Sequence, residues 1–481
     1  MITRIRSTYI IKIIFEKFKK RIKLKLLKYN KRMSDRLNIN KKDFQDFLSL
    51  EEFNQKFDLN IKDTDIEIIN FKDKKLGNAI LKYLSRIGFS ELKEIYLSKN
   101  IISDIKELEH AFFNKLEKLN LFNNQISDIF VLEKVSFKKL KVLNLDYNKI
   151  SDINVLERVG FSKLEHLFLA HNIISNIDIL EKVNFKYLKT LTLNKNLISD
   201  IKVLEKVEFK YLEVLDLSEN KIKDINILSK VDFKELKYLY LSQNEISDIS
   251  ILSHVKFEKL KILYLSYNKI SDIQVFGDVK FEKLIQLNLN GNAILDFNPL
   301  ENARFANLTI LNISFASITN INFLEKVNFN DLSLLYLTNN KIADINVFEL
   351  TNFKKIEILK LNYNRISNIE ILEKVDFKDL TTLDLSGNKI SEINIFEKVN
   401  FKKLKSLDLS DNKINNINIL EKVDFKELMI LDLSDNVIKD INIFDNVQFN
   451  KLEELNLSNN KIKGCLETIT KLKSKILDFR L

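Results

Sequence analysis

The stretch FKKLKSLDLSDNKINNINILEKVD, residues 401–424, decides how the rest of the chain is read. Its segment L-x-x-L-x-L alternates apolar and polar residues at period two, the pattern of a short strand with one buried face. Asn412 follows three residues after the last of those leucines, where the chain must turn. A buried Asn can both donate and accept, so stacked copies would tie each turn's backbone to the next. The second half, I-x-x-I-x-I-L-E-K-V, spaces its apolar groups more nearly as a helix does.

The same sentence fills most of the chain. Phe stands at 89 and recurs every 24 residues to 449, sixteen times without insertion or deletion. The turn Asn is almost as constant, and only LNISFASITNI (311–321) carries Ala316 in its place. A fixed period of this length marks a supersecondary unit that cannot bury its apolar face alone but does so when stacked. Several return segments begin N-x-x-E (Asn154 with Glu157, Asn322 with Glu325, Asn418 with Glu421), which reads as a capping box. Pro299, just after Asn298, sits where a first-turn proline is tolerated. The Phe column and the Val column before it should pack as spines beneath these returns.

LKYLYLSQNEISDI (237–250) and LKSLDLSDNKINNI (404–417) resemble the leucine-rich repeat pattern L-x-x-L-x-L-x-x-N-x-I. The I-x-x-I-x-x-L continuation is most similar to the short internalin and protein phosphatase regulatory subunit types, although those usually run to 22 residues per coil. The resemblance implies an α/β fold: a right-handed, curved solenoid or horseshoe. Its parallel sheet would line the concave face, with short helical or 3-10 returns on the convex face. It implies a non-catalytic scaffold or regulatory subunit that binds a protein, or alternatively a surface or secreted adhesion factor like the internalins.

The sequence divides accordingly. Residues 1–32 are a basic tail, 33–88 an N-terminal helical cap with a degenerate first coil, 89–464 the sixteen repeats, and 465–481 a C-terminal cap. Within the first cap, KKDFQDFLSLEEFNQKF (41–57) reads as an amphipathic helix with Asn40 as its cap, and IEIINF (66–71) as a strand. At the far end LETITKLKSK reads as a longer helix, after which ILDFRL restarts the strand pattern. One Pro and seven Gly in 481 residues leave no room for flexible linkers.

The formal charge of +10 is not spread evenly. Residues 1–32 hold 12 basic residues against Glu16 alone, and the remainder holds 65 basic against 66 acidic. The repeat body therefore lacks the basic stripe that nucleic-acid binding requires. The tail itself has three readings: a membrane-surface or targeting helix, a disordered arm touching anionic partners, or a segment upstream of a true start at Met33. The stretch YIIKIIF (9–15), broken by Lys12, is too short for a secretory signal. With Cys465 as the only cysteine, no intramolecular disulfide can form, which fits a reducing, cytoplasmic setting and a monomer.

No catalytic motif emerges, so no catalytic residue, metal site or cofactor is expected. His166 and His171 share one coil, but two histidines without fixed neighbours seldom make a metal site. What remains is the outward face of the strands. It is mixed and polar early (Glu94, Lys118, Asn120, Asn144, His166) and turns apolar in the middle. There it presents Tyr238, Tyr240, Ile262, Tyr264, Ile310, Leu334, Tyr336 and Ile358, with Tyr267, Phe315 and Tyr363 on the adjoining loops. It ends acidic, at Asp384, Asp408 and Asp432, with Asp411 and Asp435 beside them. Contiguous apolar surface of this kind marks interaction sites, and Tyr is favoured at their centres. The three stacked carboxylates would repel one another unless a basic partner relieved them.

Overall fold

The repeat folds into one kind of coil in the computed structural model, which describes residues 41–447 and 449–481. Its strand is three residues long with only the middle side chain buried, as in Thr382–Asp384, where Leu383 is inaccessible. Leu380, Leu385, Ile390 and Ile393 of that coil point inward as well, so each strand contributes one face to the core. The return is a 3-10 turn, as in Glu370–Glu373, whose Ile371 and Leu372 close the coil from the other side. Phe377 packs beneath it, and its counterparts from Phe89 to Phe425 are buried. The Val column is less uniform: Val231 and Val279 are buried, whereas Val399 and Val423 are half-exposed.

The chain divides into two compact units, Met1–Leu212 and Glu213–Leu481. The boundary falls inside FKYLEVL, where the period does not change. In a solenoid each coil touches only its neighbours, so a division needs no signature in the sequence. The described part of the first unit begins with α1 (Lys41–Phe57), β1 (Ile68–Asn70) and α2 (Ala79–Leu84). α1 buries Phe47, Leu50 and Phe53, the last against Phe57, Phe71 and Tyr83. From β1 to Thr190–Thr192 its six strands are parallel. The second unit has twelve parallel strands, β7 (Val214–Asp216) to β18 (Asp478–Arg480). Their register is fixed by the repeat, so that Leu383 faces Leu407 24 residues on. Helix α3 (Leu466–Lys475) precedes β18, whose Phe479 faces Leu455. The basic segment 1–32, Met33 and Asn40 lie outside the described residues.

The turn Asn residues form the expected ladder. Asn364 donates through Nδ2 to Leu361 O in its own coil and to Leu337 O in the preceding one, both at 2.9 Å. Its Oδ1 accepts from Ile342 N–H of that preceding coil at 3.0 Å. Each intact copy thus satisfies buried backbone groups that no water reaches. The residue just before each ladder Asn takes a left-handed conformation, as at Asp411 (φ 50°), Tyr363 (φ 55°) and Gly387 (φ 62°).

The capping boxes are not formed. In the coils of Asn154, Asn322 and Asn418 the residue before the helix is an Ile, and no side chain caps it. The amides of those three Asn residues instead donate to Oδ1 of Asp152, Asn320 and Asn416, two residues earlier, at 2.7–2.9 Å. A four-residue 3-10 turn is too short for the reciprocal box of an α-helix, and an Asx-turn does the work from outside it.

Asn364→Ala should lower unfolding free energy by about 2–4 kcal/mol, because it leaves two carbonyls and an amide of the core without their partner. Urea unfolding followed by circular dichroism reads this directly; a loss below about 0.5 kcal/mol would mean the ladder is dispensable.

Candidate binding face

In the second unit the outward strand positions form two columns along the sheet. The first runs Tyr238, Ile262, Gln286, Ile310, Leu334, Ile358 in direct register. The second runs Tyr240, Tyr264, Asn288, Asn312, Tyr336, Lys360, then Asp384, Asp408 and Asp432. All these side chains are half-exposed, since the strand's pleat turns them away from the core. The structure therefore brings Tyr238, Tyr240 and Tyr264 together at one end of the stretch. Tyr336 stands apart, with Asn288 and Asn312 between it and Tyr264. Strand neighbours are about 4.8 Å apart, so Tyr240 and Tyr336 lie about 19 Å apart along the sheet.

The tyrosines are fixed by each other and by the sheet. The Tyr240 and Tyr264 rings meet edge to face, centroids 5.2 Å apart. Tyr264 donates its hydroxyl to Gln286 Oε1 at 2.6 Å. Partial burial holds the hydroxyls of Tyr240, Tyr264 and Tyr336 above the ordinary phenol range, so they remain protonated donors at neutral pH.

Tyr267, Phe315 and Tyr363 occupy a separate ridge, the left-handed turns just past the strands, and are 45–56% exposed. Two of them lean on glycine in the next coil. A Cβ at Gly291 would come within 2.6 Å of the Tyr267 ring, and one at Gly387 within 2.5 Å of the Tyr363 ring. The glycines both accept the positive φ and leave room for the ring. This packing went unseen in the sequence, although Tyr-x23-Gly occurs at both places.

The acidic column is partly self-satisfied. Oδ1 of Asp384, Asp408 and Asp432 accepts from the amide and hydroxyl of Ser386, Ser410 and Ser434, at 2.5–3.1 Å. Asp384 lies 4.0 Å from Lys360, and Asp432 Oδ2 accepts from Asn456. Among the described residues Asp408, between them, has no cation within ion-pair distance, and burial followed by its two acidic neighbours pushes its carboxyl above the usual range. The L-D-L-S wording thus serves the turn first and presents only residual charge to a partner.

His166 and His171 each meet a different neighbour. His166 Nδ1 pairs with Thr190 Oγ1 at 3.0 Å, while the His171 ring stacks on Tyr147, centroids 3.6 Å apart. Among the described residues no cluster of His, Cys, Asp or Glu is placed to hold a metal. Cys465 is buried beside Asp440 and the Lys463 carbonyl. No helix among them is long and apolar enough to cross a membrane.

A stack of strand–turn–3-10 coils on leucine and isoleucine columns with an Asn ladder defines a leucine-rich solenoid. The chain belongs to the leucine-rich repeat family, whose profiles match it at 90–158, 186–302, 354–422 and 451–472. Among solved structures it is similar to a leucine-rich repeat protein of Leptospira interrogans, at 23% identity and a TM-score of 0.64, covering 87% of this chain and 96% of that one. A plant peptide hormone receptor in complex with the peptide RGF2 is 20% identical, with a TM-score of 0.57 and coverage of 82% and 68%. An internalin from Listeria monocytogenes is 26% identical over 79% and 89%, with a TM-score of 0.48. These likenesses are of fold. No curated protein gives a significant sequence match.

Asp408→Asn keeps the acceptor for Ser410 and removes a charge that the fold raises in pKa. A carboxyl raised on folding makes the protein lose stability as pH climbs from the unfolded Asp value, about 3.9, through the folded one. Asp408→Asn should therefore raise the melting temperature at pH 7 by a degree or more, and the gain should vanish near pH 3.5. A destabilised variant at pH 7 would show that the carboxylate is compensated.

Proposed function

We propose that the chain is a non-catalytic protein-protein interaction scaffold or regulatory subunit that binds its partner through the sheet face of the second unit. The observation that carries this reading is the column of half-exposed Tyr238, Ile262, Ile310, Leu334 and Ile358, interrupted only by Gln286 and flanked by Tyr240, Tyr264 and Tyr336. A monomeric surface pays solvation free energy for so many aligned apolar groups, and a partner removes that cost. Tyrosines anchored by neighbours lose little rotamer freedom on binding, which suits them to interface centres. Leucine-rich repeat folds generally serve as binding scaffolds, and the plant receptor of like fold is seen with a peptide.

The ridge residues Tyr267, Phe315 and Tyr363 extend the proposed surface, and Asp384, Asp408 and Asp432 bound it with the charge their turns leave over. We place the protein in the cytoplasm as a monomer, since its single cysteine sits buried in the fold. The basic segment 1–32 is assigned to contact with an anionic membrane or an acidic partner.

The test is affinity capture from source lysate with the full chain and with its Tyr240→Ala, Tyr264→Ala, Tyr336→Ala triple variant, after circular dichroism has shown that both fold alike. A partner held by the wild type should bind the variant at least about thirtyfold more weakly, since truncated anchors commonly cost over 1 kcal/mol each. A partner retained equally by both would place the binding surface elsewhere.

A further inference from the structure

At Ala316 the solenoid of the second unit is cut on its turn side, and the cut extends beyond the missing side chain. Ile342 gives its amide to Asn364, but Ile294, one coil before Ala316, has no acceptor among the described residues, because the Asn that would take it is absent. The backbone ladder is also interrupted. Lys341 N–H reaches Ile318 O at 2.7 Å and Lys269 N–H reaches Ile246 O at 2.8 Å, as in the sister coils. The matching amides of Ala293 and Ser317 make no such bond, and Leu295 N–H reaches Ser271 O at 3.1 Å, a contact the neighbouring coils lack.

The backbone has rearranged to soften the loss. Asn340 Oδ1, which in other coils serves the Ile of the preceding coil, is shared between Ile318 and Ala316 amides at 3.0 Å each. Ser317 adopts φ 57°, a second left-handed residue directly after Ala316, where the sister coils have one. Without a glycine this conformation is strained. Ile294 and Ile318 are each 5% exposed, whereas Ile270 and Ile342 beyond them are fully covered. Missing ladder bonds, left-handed strain and access to buried isoleucines all fall on the same pair of coils.

We propose that coils 285–318 form a compliant seam, the place where the second unit opens and flexes first. In a stack whose stability is a sum of coils and nearest-neighbour interfaces, weakening one interface splits the cooperative block there. The strand bonds remain intact across it, with Gln286, Leu287 and Asn288 paired to Ile310, Leu311 and Asn312. The seam therefore bends about the sheet while its turn edge parts. It lies between Tyr264 and Tyr336, so flexing changes the reach between the two ends of the face assigned to the partner, a consequence that rests on the functional reading above.

Amide hydrogen exchange of the full, unliganded chain tests the seam without any partner, so its outcome is independent of whether the face binds. Amides of Ala293, Ile294 and Ser317 should exchange at least about tenfold faster than those of Lys341 and Ile342 one or two coils on. Ala316→Asn should restore the ladder and slow the first set at least about tenfold. Asn364→Ala should create a second seam and speed exchange at Ile342, which keeps the test open should Ala316→Asn fail to fold. Equal exchange at the two sets in the wild type would overturn the proposal. So would an Ala316→Asn protein that folds and exchanges as before, or an Asn364→Ala protein unchanged at Ile342.

Discussion

The structure depends on how a buried asparagine side chain satisfies the backbone of two coils at once. A 24-residue coil must turn out of its strand with its amides and carbonyls facing an apolar interior, where an unmet group costs about 1–3 kcal/mol. Asn412 shows the solution: Nδ2 donates to Leu409 O and Leu385 O, and Oδ1 accepts from Ile390 N–H. No other uncharged side chain of that size offers two N–H donors and a separate carbonyl acceptor. The bond to the preceding coil makes stacking obligatory, because an isolated coil could not satisfy its own turn. From that coupling follow the parallel register, the constant repeat length and the outward presentation of alternate strand residues.

The outward strand positions are the ones this constraint leaves free to vary. Strand residues on the outward face are not needed to fill the core, and there the repeat varies most: Tyr240 and Tyr264, then Asn288 and Asn312, then Lys360 and the aspartates. The first unit uses another free position for itself, pairing Lys93 with Glu67, Lys141 with Glu117 and Lys189 with Glu165 across its coils. Such half-exposed ion pairs add little stability. They do keep that edge electrically quiet. The second unit replaces much of this pattern, beyond Lys261, with Ile285, Thr309 and Ser333.

Much of this was legible in the sequence. The strand, the ladder Asn and the buried Phe column follow from periodicity, because sixteen copies repeat each signal, and the closing helix 466–475 from the place where that period breaks. What periodicity concealed were relations that span coils without changing the repeat. The N-x-x-E wording suggested capping boxes at Asn154, Asn322 and Asn418, yet a 3-10 turn hands that task to the Asx residue two positions earlier. The L-D-L-S wording suggested free carboxylates at Asp384, Asp408 and Asp432, yet each serine two residues on claims one oxygen. The aromatic stretch reads as continuous in sequence but is divided by Asn288 and Asn312. The boundary at Leu212 has no sequence mark, and Ala316 shows one missing side chain where the structure shows a displaced turn.

Hydroxyl-radical footprinting of the chain, free and bound to a captured partner, tests the central claim most directly, because tyrosine side chains report their own exposure. Tyr240, Tyr264 and Tyr336 should lose reactivity on binding, while the exposed, stacked pair Tyr187 and Tyr211 of the first unit should not change. Protection of Tyr187 and Tyr211 with the sheet-face tyrosines left as reactive as before would contradict the assignment of the binding surface.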